Sequence, residues 1–379
     1  MSHRDDFDLA PGEVYLNGAY CTPLPRSARA RVAEAYALNA EPYRLLSEVY
    51  FEYTDAVRER VARVLGAAQE DVGVTNSTGF GALLLARGVR WRPGGRILLG
   101  PDEFPSNVYP WLALTEEGMK VEVIGRPGHP LTVEELERAL AQGGVSALSV
   151  AAVHYLTGDL HPLGDFARLL HARGAYLFTD ATQAVGSVAL EWPALEIDAI
   201  LTSGYKWLFG PYGTGAIRVR RPLLEAMKNV NGNWWAMENS GDFPRVLEIR
   251  GSPMHARRLD SGETASFLNL GAWWSGLDYL LGIGVAAMEA HHRRMQDALI
   301  ERTRGLGLTP LPRLDAAHRS PMLYFEVSET LDGGRLQAEL GVRKIAVSSR
   351  SGRLRVSPGW WSDDSDVDAF AAAVRAAAA

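Results

Sequence analysis

The chain has a single cysteine, Cys21, in 379 residues. An intrachain disulfide framework is therefore excluded, and the scarcity fits a reducing compartment. No apolar run reaches the ~18 residues that a membrane-spanning helix needs. The arginines are spread along the chain, and a formal net charge of −6 gives no sign of nucleic-acid binding. The first residues, MSHRDDFDLAPGEVYLN, carry acids where a signal peptide needs a basic stretch and then an apolar one. No strand runs into G-x-G-x-x-G and a helix with an acid ~20 residues further on, as a nicotinamide dinucleotide site requires. These absences predict a soluble, cytoplasmic protein with no nucleic-acid partner and no membrane partner.

Lysine is the other scarcity. Of 39 basic residues 35 are Arg, and only Lys120, Lys206, Lys228 and Lys344 are Lys. Arg supplies charge equally well, but its guanidinium cannot form a Schiff base with an aldehyde as an amine does. A chain that nearly always chooses Arg, yet sets Lys206 between Tyr205 and Trp207 after an apolar run, needs the amine there.

What is present reads as an α/β protein. The composition, 47% hydrophobic and 22% charged, is ordinary for a globular chain, and the length admits two or three domains. Short apolar runs at 72–75, 96–99, 121–124, 147–153, 175–179, 198–202 and 216–219 alternate with helix-like segments. That alternation predicts a large, mostly parallel, doubly wound sheet. One of the helices, TVEELERALAQ, opens with a Thr cap and Glu three residues later. Residues 1–25 are read as an N-terminal arm, 26–260 as the large domain and 261–379 as a smaller α+β domain. The last comprises helices at 267–281 and 285–306, short strands at 322–327, 343–347 and 354–356, and a capped, Ala-rich terminal helix. The polar stretch Glu289 to Arg294, with two His residues, reads as a solvated helix face, and no metal site is expected.

The functional centre falls at 173–220. Asp180 ends the run 175–179, and Ser203-Gly204-Tyr205-Lys206 follows the run 198–202. Ligands of open α/β sheets sit beyond the carboxyl ends of the strands, so an acid and an amine face one crevice. That pair suits pyridoxal 5′-phosphate: the amine can hold the aldehyde as a Schiff base, and the carboxylate can pair with the pyridinium nitrogen. Asn76-Ser77-Thr78-Gly79-Phe80-Gly81 opens an apolar helical run. Its exposed N–H groups and helix dipole suit a phosphate, although Ser and Thr are good plain caps as well.

The D-x-x-Q motif at Asp180-Ala-Thr-Gln183, then Lys206 followed by an aromatic, Leu and a Gly-rich stretch, resembles the class V aminotransferase family. That family contains cysteine desulfurases, kynureninases and isopenicillin N epimerase. The resemblance implies the fold type I architecture of pyridoxal-phosphate-dependent transferases and a homodimer with its active site at the interface. It implies that Ser77 and Thr78 hold the phosphate, that Phe104 stacks on the pyridine face and that Gln183 meets the phenolic oxygen. Ser203 and Tyr205, flanking Lys206, are expected cofactor contacts. Thr264, in Gly262-Glu263-Thr264, matches a turn that reaches the partner's phosphate. Arg355, in Leu354-Arg355-Val356-Ser357-Pro358, matches the Arg that grips the substrate α-carboxylate; planar two-point binding suits Arg rather than Lys. Asn17 and Tyr155 are substrate-side candidates, and His154 reads equally as a general base or as a packed histidine.

The subgroup stays open. Phe104-Pro105-Ser106-Asn107, Tyr155-x-Thr157-Gly158 and Trp234-Trp235 lean toward kynureninase, while D-x-x-Q and the carboxy-terminal motif lean toward desulfurases and epimerases. The loop 346–352, where cysteine desulfurases carry their persulfide cysteine, has none. Sequence reasoning thus expects a lyase or transferase without a persulfide cysteine. A kynureninase-like hydrolase, an amino acid epimerase and an inactive binding homologue are the alternatives.

Overall fold

The computed structural model describes residues 3–234, 237, 242, 244, 255–262, 266–311, 314–329 and 331–378. A short strand, β1 (Val14–Tyr15), is followed by helices α1 (Ala28–Ala40) and α2 (Ser47–Leu65). Then come β2 (Val72–Thr75), α3 (Thr78–Gly88), β3 (Arg96–Leu99), α4 (Tyr109–Leu112), β4 (Lys120–Val123), α5 (Val133–Ala141) and β5 (Val145–Ala151). Next are α6 (Leu163–His171), β6 (Tyr176–Asp180), β7 (Ala199–Ser203), β8 (Gly215–Val219) and α7 (Arg221–Ala226).

Among the described residues these strands form a seven-stranded sheet in the order β2-β8-β7-β6-β5-β3-β4. β8 runs antiparallel to β2 and β7, and the other pairings are parallel. The expected doubly wound sheet is therefore present. Its middle strands are buried on both faces, as in β7 (AILTS, every residue buried), which is why they read as unbroken apolar runs rather than as alternation. Register brings Ala151, the last residue of β5, beside Asp180, the last of β6. β7 lies parallel next to β6, so it delivers Ser203 and then Lys206 to the same edge. The Thr132/Glu135 capping box at the start of α5 forms as its sequence indicates.

The remaining elements are α8 (Phe267–Ile283), α9 (Val285–Arg302), β9 (Leu308–Pro310), β10 (Leu323–Val327), α10 (Gly333–Val342), β11 (Ile345–Ala346), β12 (Ser348–Arg350), β13 (Arg353–Val356) and α11 (Asp364–Ala378). A four-stranded antiparallel sheet has the order β12-β13-β10-β9, and β1 pairs in parallel with β11. The N-terminal segment is thus stitched to the carboxy-terminal part of the chain, and the bridge Asn17↔Ser357 continues that seam.

Three sequence expectations shift. The strand expected at 343–347 starts at Ile345, because α10 runs to Val342 and Lys344 adopts φ +61°. The helix expected to reach 306 ends at Arg302. β9, three residues ending in Pro, is too short to show an alternation. The polar stretch of α9 is also not wholly solvated: His292 is buried with its ring edge-on to Trp207, centroids 4.8 Å apart. His291 is held by its Nε2 against the Gly359 carbonyl at 3.0 Å. Among the described residues no His, Cys, Asp and Glu cluster could hold a metal, and no helix is long and apolar enough to cross a membrane.

Candidate active site

A cleft opens at the carboxyl edge of the large sheet, lined by Thr78, Phe104, Tyr155, Asp180, Gln183, Ser203, Tyr205 and Lys206 among others. Eight of the residues singled out from sequence therefore meet in one place. The geometry follows from the backbone: three strand ends lie side by side, and the turn after β7 is kept tight by glycine. A Cβ at Gly204 would collide with Thr214 Oγ1 and the Trp273 ring. Behind Lys206 the Trp207 indole is fully buried and donates to Gln183 Oε1 at 2.8 Å. Thr22 of the N-terminal arm donates its hydroxyl to the Lys206 carbonyl. The lysine backbone is thus fixed from both sides.

Lys206 Nζ has no hydrogen-bond or ion-pair partner among the described residues, and it lies 6.0 Å from the Phe104 ring centre and 5.7 Å from that of Tyr205. Loss of water around it pulls the ammonium down to about 8, opposed by Asp180 and assisted by Arg355. Asp180 is buried; burial raises its carboxyl, and hydrogen bonds from Thr182 together with the Lys206 charge pull it back. The amide N–H of Thr182 donates to Asp180 Oδ1 at 3.0 Å. Amine and acid thus feel one another across the cleft without forming an ion pair.

At the start of α3, Ser77 caps the helix by accepting from the Phe80 amide at 3.2 Å. Thr78 Oγ1 lies 2.8 Å from Thr182 Oγ1 and 2.9 Å from Ser203 Oγ. These hydroxyls, Ser106 and the helix N-terminus concentrate hydrogen-bond donors at one end of the cleft. Ser77 itself does not line the cleft; its side chain is spent on the cap. Gln183 is oriented by the Trp207 indole and by donating to the Ala19 carbonyl at 3.0 Å. Phe104 is 44% exposed, an unusual state for a Phe, and its ring faces Tyr155 with centroids 5.7 Å apart.

The β12–β13 hairpin carries Arg350 and Arg355, whose charges both act on Lys206 although neither residue lines the cleft. Arg355 is 2% exposed and donates through Nη2 to Asn17 Oδ1 at 3.3 Å and to Ser348 Oγ at 3.4 Å; its Nε has no partner. Asn17 therefore acts on Arg355 in this structure, 338 residues away in sequence. Tyr155 lines the cleft and accepts at its hydroxyl from Arg350 Nε at 3.1 Å.

His154 is buried, with Nδ1 2.9 Å from Thr157 Oγ1 and Nε2 3.3 Å from Asp102, and burial lowers it to about 4. It does not line the cleft, so the packed-histidine alternative holds. Trp234 is 39% exposed, while Thr264 and Trp235 lie outside the described residues.

Sequence reasoning missed Ser106, Thr182, Glu103 and Arg350. Ser106 lies within Phe104-Pro105-Ser106-Asn107 and Thr182 within Asp180-Ala181-Thr182-Gln183, so the spacing of these motifs was a signal for both. Glu103 accepts from the Ala151 amide and from Asn107, each at 2.8 Å, and burial pushes it up to about 8. Only its position beside Phe104 hinted at this. Arg350 stands in the cysteine-free loop 346–352, where no motif marks it.

The family model for aminotransferase class-V matches residues 14–360. A probable cysteine desulfurase of Methanothermobacter thermautotrophicus is 27% identical over 309 residues, 78% of this chain and 74% of that protein. An isopenicillin N epimerase of Amycolatopsis lactamdurans is 27% identical over 387 residues, 98% and 97% of the two chains. Among solved structures, the apo cysteine desulfurase from Thermococcus onnurineus NA1 superposes with a TM-score of 0.85 at 21% identity, covering 98% of this chain and 96% of that one. A C-DES variant with glycine linked covalently to its PLP cofactor gives 0.89 at 16% identity, covering 99% of each; both likenesses speak to the fold. The chain belongs to the aminotransferase class-V family of pyridoxal-phosphate-dependent enzymes.

Proposed function

We propose that this enzyme acts on an α-amino acid through Lys206, as a lyase or transferase that uses no persulfide cysteine. The observation that carries the reading is the unpartnered Lys206 amine, lowered to about 8, sharing one cleft with the buried Asp180 carboxyl. An amine in that range is available as the free base near neutral pH, which capture of an aldehyde requires. The other donors also suit pyridoxal phosphate: Asp180 for the ring nitrogen, the exposed Phe104 face for the ring, and Thr78, Ser203 and the α3 N-terminus for the phosphate.

When bound, pyridoxal phosphate supplies an electron sink for charge developing at the substrate Cα. Arg355, whose guanidinium has no carboxylate within ion-pair distance among the described residues, holds the substrate α-carboxylate and so sets which Cα bond stands toward the sink. Lys206, once free, accepts the proton leaving Cα and returns it. Asp180 keeps the ring nitrogen protonated. Gln183, fixed by Trp207 and Ala19, lines the cleft with one amide hydrogen left to donate.

The absence of a persulfide step rests on the hairpin 346–352, which carries no cysteine. Cys21 is half-buried near Lys206, and burial pushes its thiol up, the wrong direction for a nucleophile. A homodimer is part of the reading; the exposed rings of Tyr20 and Tyr212, the latter stacked on Tyr205, offer a rim for a second subunit to cover. Sedimentation of the purified protein tests this.

The length-wide similarity to isopenicillin N epimerases favours epimerisation as a second reading. A panel of alanine, cysteine, selenocysteine and kynurenine, followed by visible absorbance and product analysis in D₂O, separates the two. Bond cleavage or amino transfer supports the first reading, and inversion with deuterium at Cα supports the second. A wild-type holoenzyme that responds to no amino acid would sink both.

A further inference from the structure

Resting on the reading of this cleft as an amino-acid site, we propose that Arg350 recognises a second anionic group, so that the enzyme prefers α-amino acids whose side chain ends in a carboxylate or sulfinate. In the β12–β13 hairpin, Ser348 pairs with Arg355 and Arg350 with Arg353. Residues opposite one another, and those two apart on one strand, share a face of an antiparallel pair. Ser348, Arg350, Arg353 and Arg355 therefore project to the same side. The turn that closes the hairpin holds Ser351 at φ +49° and Gly352 at φ +79°, a tight link that keeps both strands in register. Arg350 and Arg355 sit two residues apart along the hairpin, a backbone offset of ~7 Å.

The partners of these guanidiniums differ. Arg353 turns away to the Leu156 carbonyl at 3.0 Å. Arg355 meets neutral oxygens, those of Asn17, Ser348 and Tyr324. Arg350 donates to the Tyr155 hydroxyl and to the Ser349 carbonyl at 2.8 Å. Neither Arg350 nor Arg355 has a carboxylate within ion-pair distance among the described residues, and tyrosines rather than acids surround them. This is uncommon in a chain whose other arginines so often find a carboxylate, as Arg58 does with Asp260 and Arg96 with Glu122. Both guanidiniums lie close enough to the cleft for their charges to act on Lys206, and two unneutralised cations beside one cleft suit two anionic groups. The α-carboxylate supplies one, and the substrate side chain supplies the other. Tyr155 ties Arg350 to the cleft itself, because that ring lines the cavity while its hydroxyl holds Arg350 Nε.

The test is equilibrium binding to the pyridoxal-phosphate-loaded protein, by calorimetry and by change in visible absorbance. The ligands are aspartate, glutamate and cysteine sulfinate, against asparagine, glutamine and alanine. At least a 10-fold preference for an acidic ligand over its amide is expected, and Arg350→Gln should collapse that ratio toward one. Tyr155→Phe, which keeps the ring, should lower it several-fold, so the outcome does not hang on one variant. Which acid binds tightest separates carboxylate from sulfinate. Binding of neutral amino acids with no acidic preference, or a preference that survives Arg350→Gln, overturns this inference and leaves the amino-acid reading standing. Silence toward every amino acid overturns both.

Discussion

The Lys206 cluster and the Arg355 cluster beside it are made in different ways. The Lys206 side comes from neighbouring parallel strands, in which Asp180, Thr182, Gln183, Ser203 and Lys206 lie within one stretch of chain and share a sheet edge. The Arg355 side is assembled from residues far apart: Asn17 reaches Arg355 across 338 positions, and Arg350 reaches Tyr155 across 195. The first carries the groups that suit the cofactor, which all members of the family need. The second carries the groups that the proposed reading gives to the substrate. The Lys206 cluster is thus written locally, and the Arg355 cluster in long-range pairing.

Substitutions on the two sides should separate accordingly. The largest effect is expected from Lys206→Ala, a loss of at least ~10³-fold in turnover; Lys206→Arg, which restores charge but not the amine, should not rescue it. Steady-state assay with any responsive amino acid checks this. Asp180→Asn should come next, lowering kcat by roughly 10²-fold with a smaller change in KM. On the other side, Arg355→Lys should raise KM by ~10–100-fold with a smaller change in kcat, since a point charge cannot replace a planar fork. If Asp180→Asn instead raised KM and Arg355→Lys lowered kcat, the division of labour between the sides would be wrong.

Smaller effects probe stability. Glu103 has its carboxyl raised to about 8 from an ordinary 4.5, so between those values the folded protein binds more protons than the unfolded one. Its contribution is fully present below about 4.5 and is lost as pH rises toward 8. Denaturant titrations across that window should show a falling stability in the wild type and a flatter profile in Glu103→Gln. Smallest is Ser77→Ala, which should cost about 1 kcal/mol of stability through loss of the α3 cap. If pyridoxal phosphate affinity also drops more than 10-fold, as a fluorescence titration would reveal, Ser77 touches the phosphate as well.

The same contrast explains what could be read before the fold was known. Asp180 and Lys206 were legible because buried parallel strands appear as unbroken apolar runs, and the residue following each run must face the crevice. Phe104, Thr78 and Gln183 were legible through motif spacing. The partners of Asn17, the pairing of Arg350 with Tyr155 and the packing of His292 against Trp207 were not, because nothing local encodes a contact across hundreds of residues. His292 looked solvated because Glu289, Arg293 and Arg294 share its helix, yet its own side faces the core. Lys344 delayed β11 through a positive φ that no propensity for Lys would suggest.

The most direct test is chemical. The protein is loaded with pyridoxal phosphate, reduced with borohydride and digested, and the modified peptide is found by mass spectrometry. With only Lys120, Lys206, Lys228 and Lys344 available, the expected result is a single pyridoxyl adduct on the peptide containing Lys206, absent in Lys206→Ala. Label on any of the other lysines, or none at all from a folded protein, would contradict the assignment of Lys206 as the amine on which the site is built.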